Sequence, residues 1–142
     1  QAARRPQRHR QGAWRPLQLS MRVRDDTPPT AHGLRVALLF ALAAQRLSDY
    51  YEHGQWLSEA QGATLAADWL ARSKNSLPLA ERRQISDLSD QFARQIAASL
   101  SREAGLYTAH EMMEALDPNY HSELAQTMLA ECDRLLSGAT AG

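Results

Sequence analysis

Within residues 79–103, the apolar side chains Ile85, Leu88, Phe92, Ile96 and Leu100 recur at steps of three and four. At about 100° per residue they fall in one stripe of an α-helix. Arg82, Arg83, Asp87, Asp90, Arg94 and Arg102 sit mostly on the other faces. No period of two fits this stretch, so it is read as a long amphipathic helix whose oily face needs partners. The segments on either side are built to supply them.

Upstream, residues 36–44 contain no polar side chain, so a helix over residues 34–51 is oily on every side for two turns. That run is too short to span a bilayer, which needs about 20 residues. Two readings stay open. One is a central core helix. The other is an export signal, with Arg22, Arg24 and Arg35 preceding an apolar stretch that ends in Ala41-Leu42-Ala43-Ala44, an A-x-A-like cleavage site. Asp25, Asp26, Pro28 and Pro29 make a poor leader for such a signal, which favours the core helix.

Gly54 is a natural stop for this helix, because the residue after a helix end usually wants a left-handed backbone. Ser58-Glu59-Ala60-Gln61 reads as a capping box that opens the next helix, with Leu65, Ala66, Trp69 and Leu70 as its inner edge. Asn75 and Ser76 close it, and Pro78 suits the first turn of the long helix. Tyr50-Tyr51-Glu52-His53-Gly54-Gln55-Trp56 followed by Glu59-Ala60 resembles the turn of a tetratricopeptide repeat. The resemblance implies a helical hairpin set by an aromatic, a glycine and a second aromatic. There is one residue too many before Ala60 and no second copy, whereas such repeats need about three to bury a face. The stretch is therefore read as a generic helix-turn-helix hairpin.

Downstream, Gly105 is expected to end the long helix, with Leu106 folding back on Leu100. Thr108-Ala109-His110-Glu111 then reads as a second capping box, with Tyr107 and Met112 as a hydrophobic staple. Asp117-Pro118 supplies a cap and a first-turn proline for the last helix. Tyr120, Leu124, Ala125, Met128, Leu129, Cys132, Leu135 and Leu136 line its apolar arc, and Ser137-Gly138 is its expected stop. The fold class that follows is all-α, an irregular bundle of about four long helices and one short helix, preceded by an extended N-terminal arm. The expected division is an extended basic arm over 1–30, a helical domain over 31–138 and a disordered tail over 139–142.

Charge is where function enters. The 142 residues sum to zero, but the first 24 carry seven arginines (Arg4, Arg5, Arg8, Arg10, Arg15, Arg22 and Arg24) and no acid. The remaining 118 carry nine basic and sixteen acidic residues. A basic segment on an acidic body suggests an anionic partner for the segment, RNA foremost, with Trp14 and His9 available for stacking. The same arginine-rich, acid-free composition resembles part of an organellar transit peptide, which points to a mitochondrial or ribonucleoprotein setting. A third interpretation is that residues 1–20 are upstream translation, since Met21 is the first methionine.

Catalytic patterns are sparse. His110, Glu111, Glu114, His121 and Glu123 lie close in sequence, but the second histidine of the zinc-protease motif is missing, as is the Glu-x-x-His of di-iron bundles. Capping and surface charge account for that group, so no metal or cofactor is expected. Cys132, the one cysteine, falls on an apolar arc and is expected to be an inert buried thiol. There is no phosphate-binding glycine loop, and nothing indicates a small-molecule substrate. Tyr50, Tyr51 and Trp56 gather at the first hairpin as candidates for contact with a protein partner, with packing as the alternative. The expected function is a non-enzymatic interaction subunit of a larger assembly, its body docking on protein and its arginine arm on an anionic partner. A small exported binding or inhibitor protein, with residues up to Ala44 removed as a signal, is the other expectation.

Overall fold

The run without a polar face becomes the axis of the bundle. In the computed structural model, which describes residues 31–141, the chain forms five helices. These are α1 (Ala31–His53), α2 (Glu59–Arg72), α3 (Leu79–Ser99), α4 (Arg102–Glu114) and α5 (Glu123–Ala141). Residues 36–44 are all buried, covering every direction around α1, and the four other helices all pack against it. Leu38, Leu39, Phe40 and Leu47 are almost wholly inaccessible and share one core cluster with Leu70, Ile85, Phe92, Ile96, Met112, Leu129 and Leu136. This is the all-α irregular bundle expected from the periodicity. Among the described residues no helix is long and apolar enough to cross a membrane.

The start of α1 is tied down by side-chain contacts to two other helices. His32 Nε2 lies 2.6 Å from Asp133 Oδ1 on α5, and Arg35 Nη2 lies 2.8 Å from Glu81 Oε1 in the first turn of α3. At its other end Gly54 takes the left-handed backbone a chain reversal needs, at φ +77°, and its N–H donates to the Tyr50 carbonyl at 2.7 Å. Ser58 then opens α2 with the expected capping box. Its hydroxyl accepts from Gln61 N–H, and the Gln61 side chain accepts from Ser58 N–H.

The second half departs from expectation at four helix ends. The long helix stops at Ser99, and Leu100 is extended (φ −123°, ψ 153°) and partly exposed. Ser101 caps a new helix by accepting from Ala104 N–H at 3.1 Å. Gly105 is therefore inside α4, where it lies directly under the Tyr51 hydroxyl of α1. A Cβ at that position would overlap the phenol oxygen. Thr108 is mid-helix and donates back to the Ala104 carbonyl at 2.8 Å, so it caps nothing, and Tyr107 stands 59% exposed rather than stapled to Met112. Asp117 builds a local turn, accepting from Asn119 N–H at 2.9 Å, and α5 is opened instead by the Ser122 hydroxyl bonded to Ala125 N–H. Finally, α5 runs through Gly138 to Ala141.

Candidate functional site

The α1–α2 hairpin and the inner face of α3 together form the most chemically differentiated region of the body. Trp56 stacks face to face on Tyr50, with ring centroids 4.1 Å apart and planes 6° apart, and Tyr51 meets Tyr50 edge-on at 5.1 Å. The guanidinium of Arg94 lies over the Trp56 ring at 5.0 Å, so a cation closes the stack from the α3 side. Arg94 is held there by Asp90, whose Oδ2 accepts from its Nε–H at 3.0 Å. The three aromatic residues are each half-buried, so the hairpin offers a ring edge rather than an open aromatic patch.

Beneath this stack lies Arg46, a charged residue of α1 that is only 2% exposed. Its Nε–H donates to Ser89 Oγ at 2.9 Å and its Nη2 to Ser86 Oγ at 2.8 Å, while Nη1 reaches Asp90 Oδ1 at 3.5 Å. Ser89 in turn donates to the Ser86 carbonyl at 2.7 Å. Burial lowers the Arg46 pKa, the Asp90 carboxylate opposes that shift, Arg94 adds to it and Asp87 opposes it. Room for the guanidinium comes from α2: Gly62 lies against it, and a Cβ there would collide with Nη2. The sequence carries a trace of this arrangement. Ser89 lies on the same arc as Ile85, Phe92 and Ile96, where an unbroken oily stripe would have another hydrophobe. A hydroxyl among those residues implies a polar partner from a neighbouring helix.

Two adjoining spaces open between α2 and α3. One, of about 490 Å³, is walled by Arg46, Asp90 and Arg94 with Leu57 and Ser58 of the hairpin. The other, of about 310 Å³, lies nearer the start of α3. Glu59, Ser86 and Asp87 border both. Residues Arg4 to Arg24, the candidate contacts to an anionic partner, lie outside the described residues.

The histidine and carboxylate residues of the second half do not converge. His110 Nε2 is 3.9 Å from Glu114 Oε2 on the exposed face of α4, and Glu111 turns inward to accept from the Tyr120 hydroxyl at 3.1 Å. Among the described residues no three histidine, cysteine, aspartate or glutamate side chains are placed to hold a metal ion together. Cys132 is fully buried, and burial, with Glu131 and Asp133 on either side, pushes its thiol far above the ordinary range. In the unfolded chain the thiol ionises near pH ~8.5, whereas in the fold it stays protonated. Stability that is complete below that pH should therefore be lost as pH rises past it. Denaturation midpoints measured from pH 7 to 10 are expected to fall for the natural chain and to fall less for Cys132→Ala. Iodoacetamide should label Cys132 only as fast as the protein opens.

Comparison with protein-family models, with curated proteins and with solved structures found no match to this chain.

Proposed function

We propose that this chain is a non-enzymatic interaction subunit of a larger assembly, in which the helical body docks on protein and the arginine-rich segment over residues 4–24 anchors on RNA. The division of charge carries this reading. Seven arginines without one acid precede a remainder with nine basic and sixteen acidic residues. Such a segment gains affinity by displacing counterions from phosphates, while the acidic remainder is repelled by the same polyanion. Binding would then be concentrated in the segment and would leave the body free for a protein partner. Tyr50, Tyr51 and Trp56 supply the aromatic edge of that body, and the Arg94 guanidinium lies over Trp56.

The export reading requires removal of residues up to Ala44. In this fold those residues supply most of the buried length of α1, which supports a mature protein that keeps them.

The test is RNA binding by the full chain and by residues 31–142, measured across salt concentrations. With seven arginine contacts, the full chain should lose affinity with a log–log slope of about −5 on single-stranded RNA. The shorter chain should bind weakly with a shallow slope. Equal binding by both at every salt concentration would remove the segment from the mechanism.

A further inference from the structure

The space near the start of α3 has a lining that calls for a ligand rather than for packing. Ala60, Ala63 and Ala66 of α2 form one side, and Leu79, Arg82 and Arg83 of α3 form the other, of a half-open groove of about 310 Å³. That is the lower end of the size range of small-ligand sites, ~300–1,000 Å³, and such sites combine apolar walls with a few polar groups. Methyl groups leave the trough open where leucines would have filled it.

The polar group here is unusual. Arg82 Nε is sealed from solvent and has no hydrogen-bond partner among the described residues. That nitrogen is also out of reach of an incoming acceptor, so the donors a ligand can meet are the outer guanidinium nitrogens of Arg82, which make no side-chain hydrogen bond or ion pair among the described residues. A guanidinium is matched in shape by a carboxylate, which takes two parallel N–H donors. Arg83, next in sequence, borders the same space and doubles the positive charge at that end. Glu59 and Asp87 stand at the opposite end, where the trough meets the Arg46 space. Asp87 is four to five residues on from the two arginines, about 6–7.5 Å further along α3. A second negative charge on the ligand would be repelled there.

We propose that the trough between α2 and α3 binds a small monocarboxylate with a short aliphatic body. Its carboxylate is held by Arg82 and Arg83, and its chain lies along Ala60 and Ala63. This site is separate from the RNA and protein contacts proposed above and does not depend on them.

Titration of the isotope-labelled full chain with hexanoate, hexylamine and adipate, followed by amide chemical shifts, tests the proposal. Hexanoate should give saturable shifts at Ala60, Ala63, Arg82 and Arg83, with a dissociation constant on the order of 1 mM for a ligand of this size. Hexylamine should leave those amides unmoved, and adipate should bind more weakly than hexanoate. Arg82→Gln should weaken hexanoate by about tenfold or more. Ala63→Leu, which fills the trough from an exposed position on α2, should abolish binding while the unfolding transition is retained. Absence of saturable shifts with hexanoate would overturn the proposal. So would equal response to the amine, or unchanged affinity in Arg82→Gln, a readout that stands whether or not Ala63→Leu folds.

Discussion

A chain cut to residues 45–142 is expected to lose cooperative unfolding, whereas residues 31–142 should keep it. Ten of the 24 buried apolar residues in the described fold lie between Leu34 and Ala44, and they are the residues the other four helices share. Deleting them also deletes their own ordering cost of about 1–2 kcal/mol per residue, so their burial alone does not decide the outcome. The outer helices do. Leu70, Ile85, Phe92, Ile96, Met112, Leu129 and Leu136 stay in the shortened chain but lose the axis they pack on. Each represents about 1.5–3 kcal/mol of burial, with no compensating gain in chain freedom. Forfeiting half of that total already matches the ~5–15 kcal/mol by which a domain of this size is stable. Near-UV circular dichroism and denaturant titration of both chains make the measurement. A sharp transition in residues 45–142 would show that the outer helices form a core of their own, and would favour the exported protein over the interaction subunit.

The same helix shows how far the sequence could be read. Residues 36–44 announced burial on all sides because they offer no polar face, and the stripe at Ile85, Phe92 and Ile96 announced the surface that meets them. Gly54 and the Ser58 box were legible because each cap is complete within four residues. The errors lie where a local signal occurs more than once. Ser101 and Thr108 are both hydroxyl residues placed to begin a helix, and the chain uses Ser101. What decides between them is Gly105, which reads as a helix stop but serves to admit the Tyr51 hydroxyl from α1. That contact joins residues 54 positions apart and leaves no periodic trace. Asp117-Pro118 misled in the same way, because the aspartate satisfies Asn119 in a turn before any helix can begin. Of the candidate site, the aromatic hairpin was legible from composition, whereas Arg46 was not. Its role depends on Gly62, Ser86 and Ser89 being brought to it by two other helices.

Arg46→Ala is the single substitution expected to damage the body most, by about 3–5 kcal/mol in denaturant unfolding, the range for truncating a large buried side chain and leaving a cavity. The loss has two parts that a second variant separates. Alanine removes the long stem that fills the space between α1, α2 and α3, and it strips Ser86 Oγ and Ser89 Oγ of their guanidinium donors. Arg46→Met keeps most of the stem and loses only the donors. Its cost should be smaller, because Ser89 retains its bond to the Ser86 carbonyl and Asp90 retains Arg94. Neither variant strands a buried carboxylate, so the methionine chain should sit within about 1–2 kcal/mol of the natural one. Equal losses in the two variants would instead assign the whole effect to the hydrogen bonds, and an alanine variant within ~1 kcal/mol of the natural chain would remove Arg46 from the core argument altogether. The consequence for the proposed docking edge follows from the geometry. Asp90 bonds both Arg46 and Arg94, and Arg94 covers Trp56, so loosening Arg46 should broaden the Trp56 indole resonance before the helices themselves give way.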